Sequence, residues 1–283
     1  MNVASNIHDL RRLRAELAEP VGFVPTMGFL HDGHLSLARR AREECGSVVA
    51  SVFVNPTQFA PTEDLAEYPR DLDRDLALLE EAGTDLVFTP STESLYPDGY
   101  DTWINVERLT ERLEGADRPT HFRGVVTIVT KLFNLVEPTR AYFGQKDGQQ
   151  AIIVRRLIRD LDFDIELVVC PTVRESDGLA MSSRNSYLSE GERAAATILY
   201  RALQLAETLY ADEDRDAARI RSEMEEVLRG EPLAKLAYVS IADAEDLSEL
   251  DVVDRKALVS LAARIGETRL IDNTVLPPGE PLV

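Results

Sequence analysis

The sequence predicts an α/β protein, a doubly wound parallel sheet followed by a smaller C-terminal α+β domain. Short, almost wholly apolar runs rich in β-branched residues alternate with amphipathic helical stretches as far as about residue 172. That alternation is the mark of βαβ units whose sheet is covered on both faces. Beyond it the order changes to two helices followed by a few strands. The 283 residues suffice for two domains at roughly 150 residues each. The division falls at 1–173, a Rossmann-like domain, and 174–283, a smaller lid domain, with residues 176–178 as a flexible joint.

Each element has its own signal. Residues 21–25 (VGFVP) read as a short strand, and residues 34–45 carry helical spacing at Leu35, Leu37, Ala38 and Ala41. Residues 48–54 (VVASVFV) read as a buried parallel strand. In residues 70–82, Leu72, Leu76 and Leu79 recur at i, i+4 and i+7, a helical stripe. A strand at 85–89, a buried helix at 124–136, a strand at 139–143, a helix at 149–161 and a strand at 164–170 complete the alternation. In the C-terminal third, residues 189–210 and 214–230 read as two helices, the first opening on the capping-box spacing of Ser189 and Glu192. Strands are expected after them at 237–241, 257–262 and 269–272.

Composition narrows the class. Hydrophobic residues make up 44% and charged residues 29% of the chain, the balance of a folded protein. Two cysteines, Cys45 and Cys170, exclude a disulfide scaffold and fit a reducing compartment. No apolar run approaches the roughly 18 residues of a membrane span, and residues 1–14 are polar; the expected location is cytoplasmic, with no membrane partner. The net charge is −19, from 50 acidic against 31 basic residues, a field that repels phosphate backbones and disfavours nucleic acid as partner. Such acidity fits a salt-adapted host or ordinary drift; loss of folding in low-salt buffer goes with the first, indifference to salt with the second.

Four polar segments sit at strand ends or at the domain junction. The first, Pro25-Thr26-Met27-Gly28-Phe29-Leu30-His31-Asp32-Gly33-His34, lies where the first strand meets the first helix, the ligand-binding edge of an open parallel sheet. Its glycines admit close backbone approach, and helix amides favour phosphate. His31 and His34 can project from one side of the helix start; alternatively His34 caps the helix and His31 is a surface residue. The second, Gly144-Gln145-Lys146-Asp147-Gly148-Gln149-Gln150, comes after a strand. Lys146 offers a point charge for a phosphoryl group and Asp147 an acceptor for ribose hydroxyls, or the segment is a solvated, capped turn. The third, Met181-Ser182-Ser183-Arg184-Asn185, presents two hydroxyls and a guanidinium as an anion clamp, or serves as a polar linker. The fourth, Val54-Asn55-Pro56-Thr57-Gln58-Phe59, offers the Gln58 amide to a neutral hydroxyl or a carboxylate, or merely stabilises its loop.

PTMGFLHDGH at 25–34, VNPTQF at 54–59, YPR at 68–70, HFRGV at 121–125, FGQKDGQQ at 143–150 and TVRESDGLAMSSRN at 172–185 together resemble the pantothenate synthetase (pantoate–β-alanine ligase) family. His31-Asp32-Gly33-His34 is similar to the HIGH signature of the nucleotidyltransferase superfamily, and Met181-Ser182-Ser183-Arg184 to its KMSKS-like counterpart. The resemblance is dense from about residue 21 to 188. It implies ATP-dependent condensation of (R)-pantoate with β-alanine through a pantoyl adenylate, with release of pyrophosphate and AMP, in a cytoplasmic homodimer.

The resemblance also implies roles. Met27, Gly28, Phe29, Leu30, His31, Asp32, Gly33 and His34 line the ATP site, with His34 a donor to phosphate oxygens. Gly144, Gln145, Lys146 and Asp147 hold the nucleotide, Val173 touches adenine, and Met181, Ser182, Ser183 and Arg184 close over ATP. His31, His34, Lys146, Ser182, Ser183 and Arg184 are the catalytic candidates, Gln58 and Gln150 grip pantoate, and Asp75 holds Mg²⁺ directly or through water. Three positions depart from the family's usual pattern: Gln145 where an acid is common, Gly148 where a larger residue is common, and Thr120 before His121. Gly148 is expected to make its loop more flexible. The rivals are a nucleotidylyltransferase that stops after transferring AMP, a catalytically silent nucleotide-binding regulator and a tRNA-charging protein.

Overall fold

The computed structural model describes residues 1–60 and 65–283. In chain order the elements are β1 (Asn2–Ala4), α1 (Ile7–Arg14), β2 (Val21–Thr26), α2 (Asp32–Glu44), β3 (Ser47–Val52), α3 (Leu72–Glu81), β4 (Leu86–Phe88), α4 (Thr92–Leu95), α5 (Glu114–Asp117) and α6 (His121–Val136). Next come β5 (Arg140–Gly144), α7 (Gly148–Asp160), β6 (Glu166–Cys170), α8 (Glu190–Ala195), α9 (Ile198–Ala211), α10 (Ala217–Arg229), β7 (Ala234–Asp243), β8 (Ala257–Ile265) and β9 (Thr268–Leu276). They form two compact units, Met1–Phe143 with Ile153–Cys170, and Gly144–Ile152 with Pro171–Val283. A single division at 173 keeps residues 144–152 with the first unit. The structure groups them with the second, where Asn273 donates to the carbonyls of Gln145 and Lys146.

The first unit is built on a six-stranded sheet in the order β1-β4-β3-β2-β5-β6. Strand β2 pairs in parallel with β3 on one side and β5 on the other. From β2 the chain runs outward through β3 and β4, then returns to β5 and β6, so the order reverses beside β2. In open α/β sheets the carboxyl end of the strand at such a reversal is where ligands bind. Val21, Phe23 and Val24 of β2 and Val48, Val49 and Ala50 of β3 have no exposed surface, which is why both strands read as unbroken apolar runs. Helix α2 covers them with Leu35, Leu37, Ala38 and Ala41. Sequence periodicity misses β1 and α1. A three-residue strand is too short to show a period, and α1 buries only Leu10; β1 is defined by its parallel register with β4.

The second unit is a three-stranded antiparallel sheet, β7-β8-β9, backed by helices. Leu199, Leu203, Ile220 and Met224 of α9 and α10 share one core with Val259 and Leu261 of β8. The single helix expected over 189–210 is two helices. Ser189 and Glu192 do form the capping box of α8, but the chain tightens at Thr197, whose amide and hydroxyl both donate to the Ala194 carbonyl, a local bond that competes with the α ladder. Residues 176–178, expected to be a flexible joint, lie instead in a bonded hairpin spanning 174–180. Arg174 and Ala180 pair as an antiparallel bridge, Gly178 N–H donates to Glu175 O at 2.9 Å, and Arg193 spans Glu175 and Asp177. The turn is braced along its length. No helix among the described residues is long and apolar enough to cross a membrane.

Candidate active site

The chain leaves β2 by a sharp reversal. Gly28 (φ 87°) and Phe29 (φ 52°) take consecutive left-handed conformations, which for a non-glycine residue costs about 1–2 kcal/mol. A side chain at position 28 would also meet Asp75 Oδ2 at 2.9 Å and Val52 Cγ1 at 3.0 Å. The strain is sustained from α3: Asp75 Oδ2 accepts the Phe29 amide at 2.7 Å and Oδ1 the Leu30 amide at 2.8 Å. Asp75 is 1% exposed, and burial pushes its carboxyl above the ordinary range while the two amides pull it down.

His31 then caps α2. Its Nδ1 accepts the Gly33 amide at 3.2 Å, and His34 Nδ1 accepts the His31 amide at 3.4 Å, a capping box written with imidazoles. Because both Nδ1 atoms accept, each neutral ring carries its proton on Nε2. The rings lie 4.1 Å apart, centroid to centroid. The sequence offers the loop's amides to a phosphate and His34 as the cap. In the structure the amides of Phe29, Leu30, His31 and Gly33 are all bonded within the protein and His31 is the cap. Both imidazoles thus carry an Nε2–H donor beside the positive end of the α2 dipole.

Gln58 ends a single 3₁₀ turn, Pro56–Gln58, capped by Asn55. Asn55 Nδ2 donates to Gln58 Oε1 at 3.1 Å and to Gly124 O at 3.2 Å, and its Oδ1 accepts the Tyr96 hydroxyl at 3.1 Å. Burial pushes that hydroxyl up to about 12, so it stays a neutral donor. His121 Nδ1 donates to the Gln58 carbonyl at 2.9 Å, joined by Arg118 at 3.3 Å. Gly124 permits this packing: a Cβ there would lie 2.4 Å from Thr57 O. With Oε1 occupied, Gln58 turns its Nε2 donors towards Met27, 2.9 Å from the thioether sulfur, a weak acceptor. The first unit thus brings together Met27, the 28–34 loop, Gln58 and Asp75. Arg118 and Tyr96 escape sequence reasoning altogether, because nothing in their local pattern sets them apart from surface residues.

In the second unit, Gln145–Asp147 form a 3₁₀ turn that runs into α7. Lys146 Nζ lies 3.6 Å from Asp147 Oδ1. Gly148, expected to loosen the turn, is helical (φ −56°, ψ −42°); a Cβ there would press on Leu258 Cδ1 at 3.1 Å and Asn273 Nδ2 at 3.2 Å. It fits a tight contact instead of supplying slack. Gln150 is half-buried in the first turn of α7. The half-buried residues 181–184 continue from the 174–180 hairpin, with Met181 N–H donating to Val173 O at 3.0 Å. Ser182 caps the 3₁₀ turn Ser183–Tyr187 through its hydroxyl, and Asn185 fastens that turn to Glu175 and Ala180. It is an ordered turn, not a linker.

A family model described as pantoate-beta-alanine ligase matches residues 2–275. The chain belongs to the pantoate–β-alanine ligase family. It is 59% identical over 277 residues to a pantothenate synthetase of Herpetosiphon aurantiacus, covering 98% of this chain and 100% of that one. Its fold is similar to the crystal structure of pantothenate synthetase from Thermus thermophilus, with a TM-score of 0.92 and 52% identity over 96% of this chain and 98% of that one. A pantoate–β-alanine ligase from Francisella tularensis, solved with β,γ-ATP and β-alanine, matches with a TM-score of 0.81 and 34% identity over 99% of each chain. The ligase family expected from the motifs is therefore borne out, as are the Rossmann-like sheet and the smaller α+β domain expected from the order of strands and helices, and the chain is an ATP-dependent ligase.

Asp75→Asn tests the loop's anchor. It leaves one oxygen for two buried amides and is expected to lower stability by about 1–3 kcal/mol in urea unfolding. A midpoint unchanged from the parent protein contradicts the anchor.

Proposed function

We propose that the chain carries out the family reaction, condensation of (R)-pantoate with β-alanine through pantoyl adenylate, with its labour divided among four segments. Residues 27–34, Gly144, Gln145, Lys146, Asp147, Val173 and residues 181–184 bind ATP, and Gln58 and Gln150 bind pantoate. The observation that carries the pantoate assignment is the Gln58 amide, buried and locked by Asn55, with its donor end on nothing better than a thioether. A hydroxyl or carboxylate oxygen is a stronger acceptor than that sulfur and displaces it without requiring a charge.

In the first step the pantoate carboxylate attacks the α-phosphorus, forming the acyl–phosphate bond as the bond to pyrophosphate breaks. An anion attacking a polyanion needs alignment and neutralisation more than covalent help. Lys146 and Arg184 supply positive charge, the Ser182 and Ser183 hydroxyls donate, and His31 and His34 contribute Nε2–H donors in the tautomer their Nδ1 bonds impose. In the second step the β-alanine amine attacks the acyl carbon and AMP leaves as the bond from that carbon to the phosphate oxygen breaks. Excluding water from the acyl adenylate protects it between the steps.

A magnesium site made by the protein alone does not fit. Among the described residues no three His, Cys, Asp or Glu side chains gather to hold a metal, and both oxygens of Asp75 already accept amides. Mg²⁺ would come with ATP and would supply charge neutralisation to its phosphates, while Asp75 serves the loop. The homodimer and cytoplasmic setting are proposed from family membership; two free, buried cysteines support a reducing compartment.

The decisive experiment omits ATP, pantoate or β-alanine one at a time. AMP release that depends on all three, with pyrophosphate exchange needing only ATP and pantoate, is the expected result; a stable dinucleotide product overturns it. Lys146→Ala should slow exchange about 10²-fold or more, and an unchanged rate removes its role. Gln150→Ala should raise the KM for pantoate far more than that for ATP, and equal losses contradict the assignment.

A further inference from the structure

Strand β9 buries two adjacent polar residues, Asp272 at 2% and Asn273 at 4% exposure, on opposite faces of the last strand in a small sheet. A sheet built only for packing gains nothing from a carboxylate and a carboxamide there. Both are spent on loops. Asp272 takes a two-point grip from Arg174, Nη1 to Oδ2 at 2.6 Å and Nη2 to Oδ1 at 3.1 Å. The same guanidinium donates to Gly178 O at 3.1 Å and lies 4.2 Å over the Tyr200 ring. This fastens the hairpin that runs straight into residues 181–184. Asn273 Nδ2 donates at 2.8 Å to both Gln145 O and Lys146 O, while its own buried Oδ1 finds no donor among the described residues. An amide left half-satisfied so that its donors can clamp one turn is oriented for that turn. Burial pushes the Asp272 carboxyl up, and Arg174 foremost and Lys146 after it pull it back, so Lys146 is near enough for its charge to be felt there.

We propose that Asp272 and Asn273 are positioning residues for adenylation, one dipeptide that sets the Lys146 turn and the Ser182–Ser183–Arg184 turn in register. Neither residue touches the nucleotide in this proposal; each acts through a backbone segment. It rests on the reading that Lys146 and residues 182–184 grip the triphosphate. Two cationic segments that must meet developing phosphate charge together gain from being indexed to a single rigid strand, because a misplacement of about 1 Å costs a rate factor on the order of 10².

The test is pantoate-dependent ATP–pyrophosphate exchange in the full-length protein with Asn273→Asp, Lys146→Ala and the pair combined. Asn273→Asp keeps the shape and sets a carboxylate against two carbonyls. It is expected to lower kcat about 30–100-fold while the pantoate KM stays within about twofold. The double variant is expected to be no slower than Lys146→Ala alone, since residues acting as a unit are not additive. Asn273→Ala, which removes the donors without adding charge, is read in the same way if the carboxylate variant melts early. Exchange lost in Lys146→Ala but retained in both Asn273 variants overturns the brace alone. Losses that multiply in the double variant, or a pantoate KM that rises in step with the fall in kcat, make Asn273 merely structural and overturn it too. Exchange untouched by Lys146→Ala overturns the phosphate reading, and the brace with it.

Discussion

The Asp75 carboxylate is almost completely removed from water, and a buried charge is tolerable only where hydrogen bonds replace its hydration. Two consecutive amides do so, and they can both point at one carboxylate only because Gly28 and Phe29 bend the backbone into the left-handed region. The carboxylate and the reversal therefore depend on each other. Remove the acid and the strained turn loses its support; straighten the turn and the acid has no donors. Residues 31–34 inherit this arrangement. The reversal sets where His31 falls, His31 starts α2, and the box it closes with His34 fixes the tautomer of both rings.

The same logic recurs at Gln58 and at the Lys146 turn. Asn55 holds the side-chain oxygen Oε1 of Gln58 and thereby aims its Nε2 donors, and Asn273 holds the Lys146 turn by two carbonyls. In each case a short, buried polar side chain orients a neighbouring segment to which the proposed function assigns a substrate. Such support matters for a reaction that joins two anions. Electrostatic stabilisation is strong only when donors are already in place and need not reorganise as charge develops.

The acidity of the chain does not prevent these segments from presenting donors. With 50 acidic residues in the chain, the candidate nucleotide segments still collect Lys146, Arg184 and two imidazoles. Asp75 and Asp272, the buried acids that support them, are each offset by amides or by Arg174. The segments proposed to bind the nucleotide thus carry donors of their own although the net charge is −19.

Much of this was legible in the order of residues. Apolar strands, amphipathic helices and the glycine-bearing motifs at their ends come from local rules: period, burial on two faces, capping. They sufficed for the α/β class, whereas the ligase family came from the resemblance of the motifs to a known family. Contacts over long sequence separations left no local trace. Nothing near Phe29 announces that Asp75 will accept its amide, and nothing near Lys146 announces Asn273. Nor does the pattern of residues 176–178 show that Arg193 will brace what reads as a loose turn, or that Gly148 is small because Asn273 and Leu258 press on it. Local sequence determines which segments become strands, helices and turns, because those choices are settled within a few residues. The partner of a buried polar group was decided only by the tertiary structure, since that group must be satisfied by whatever the fold brings within about 3 Å of it.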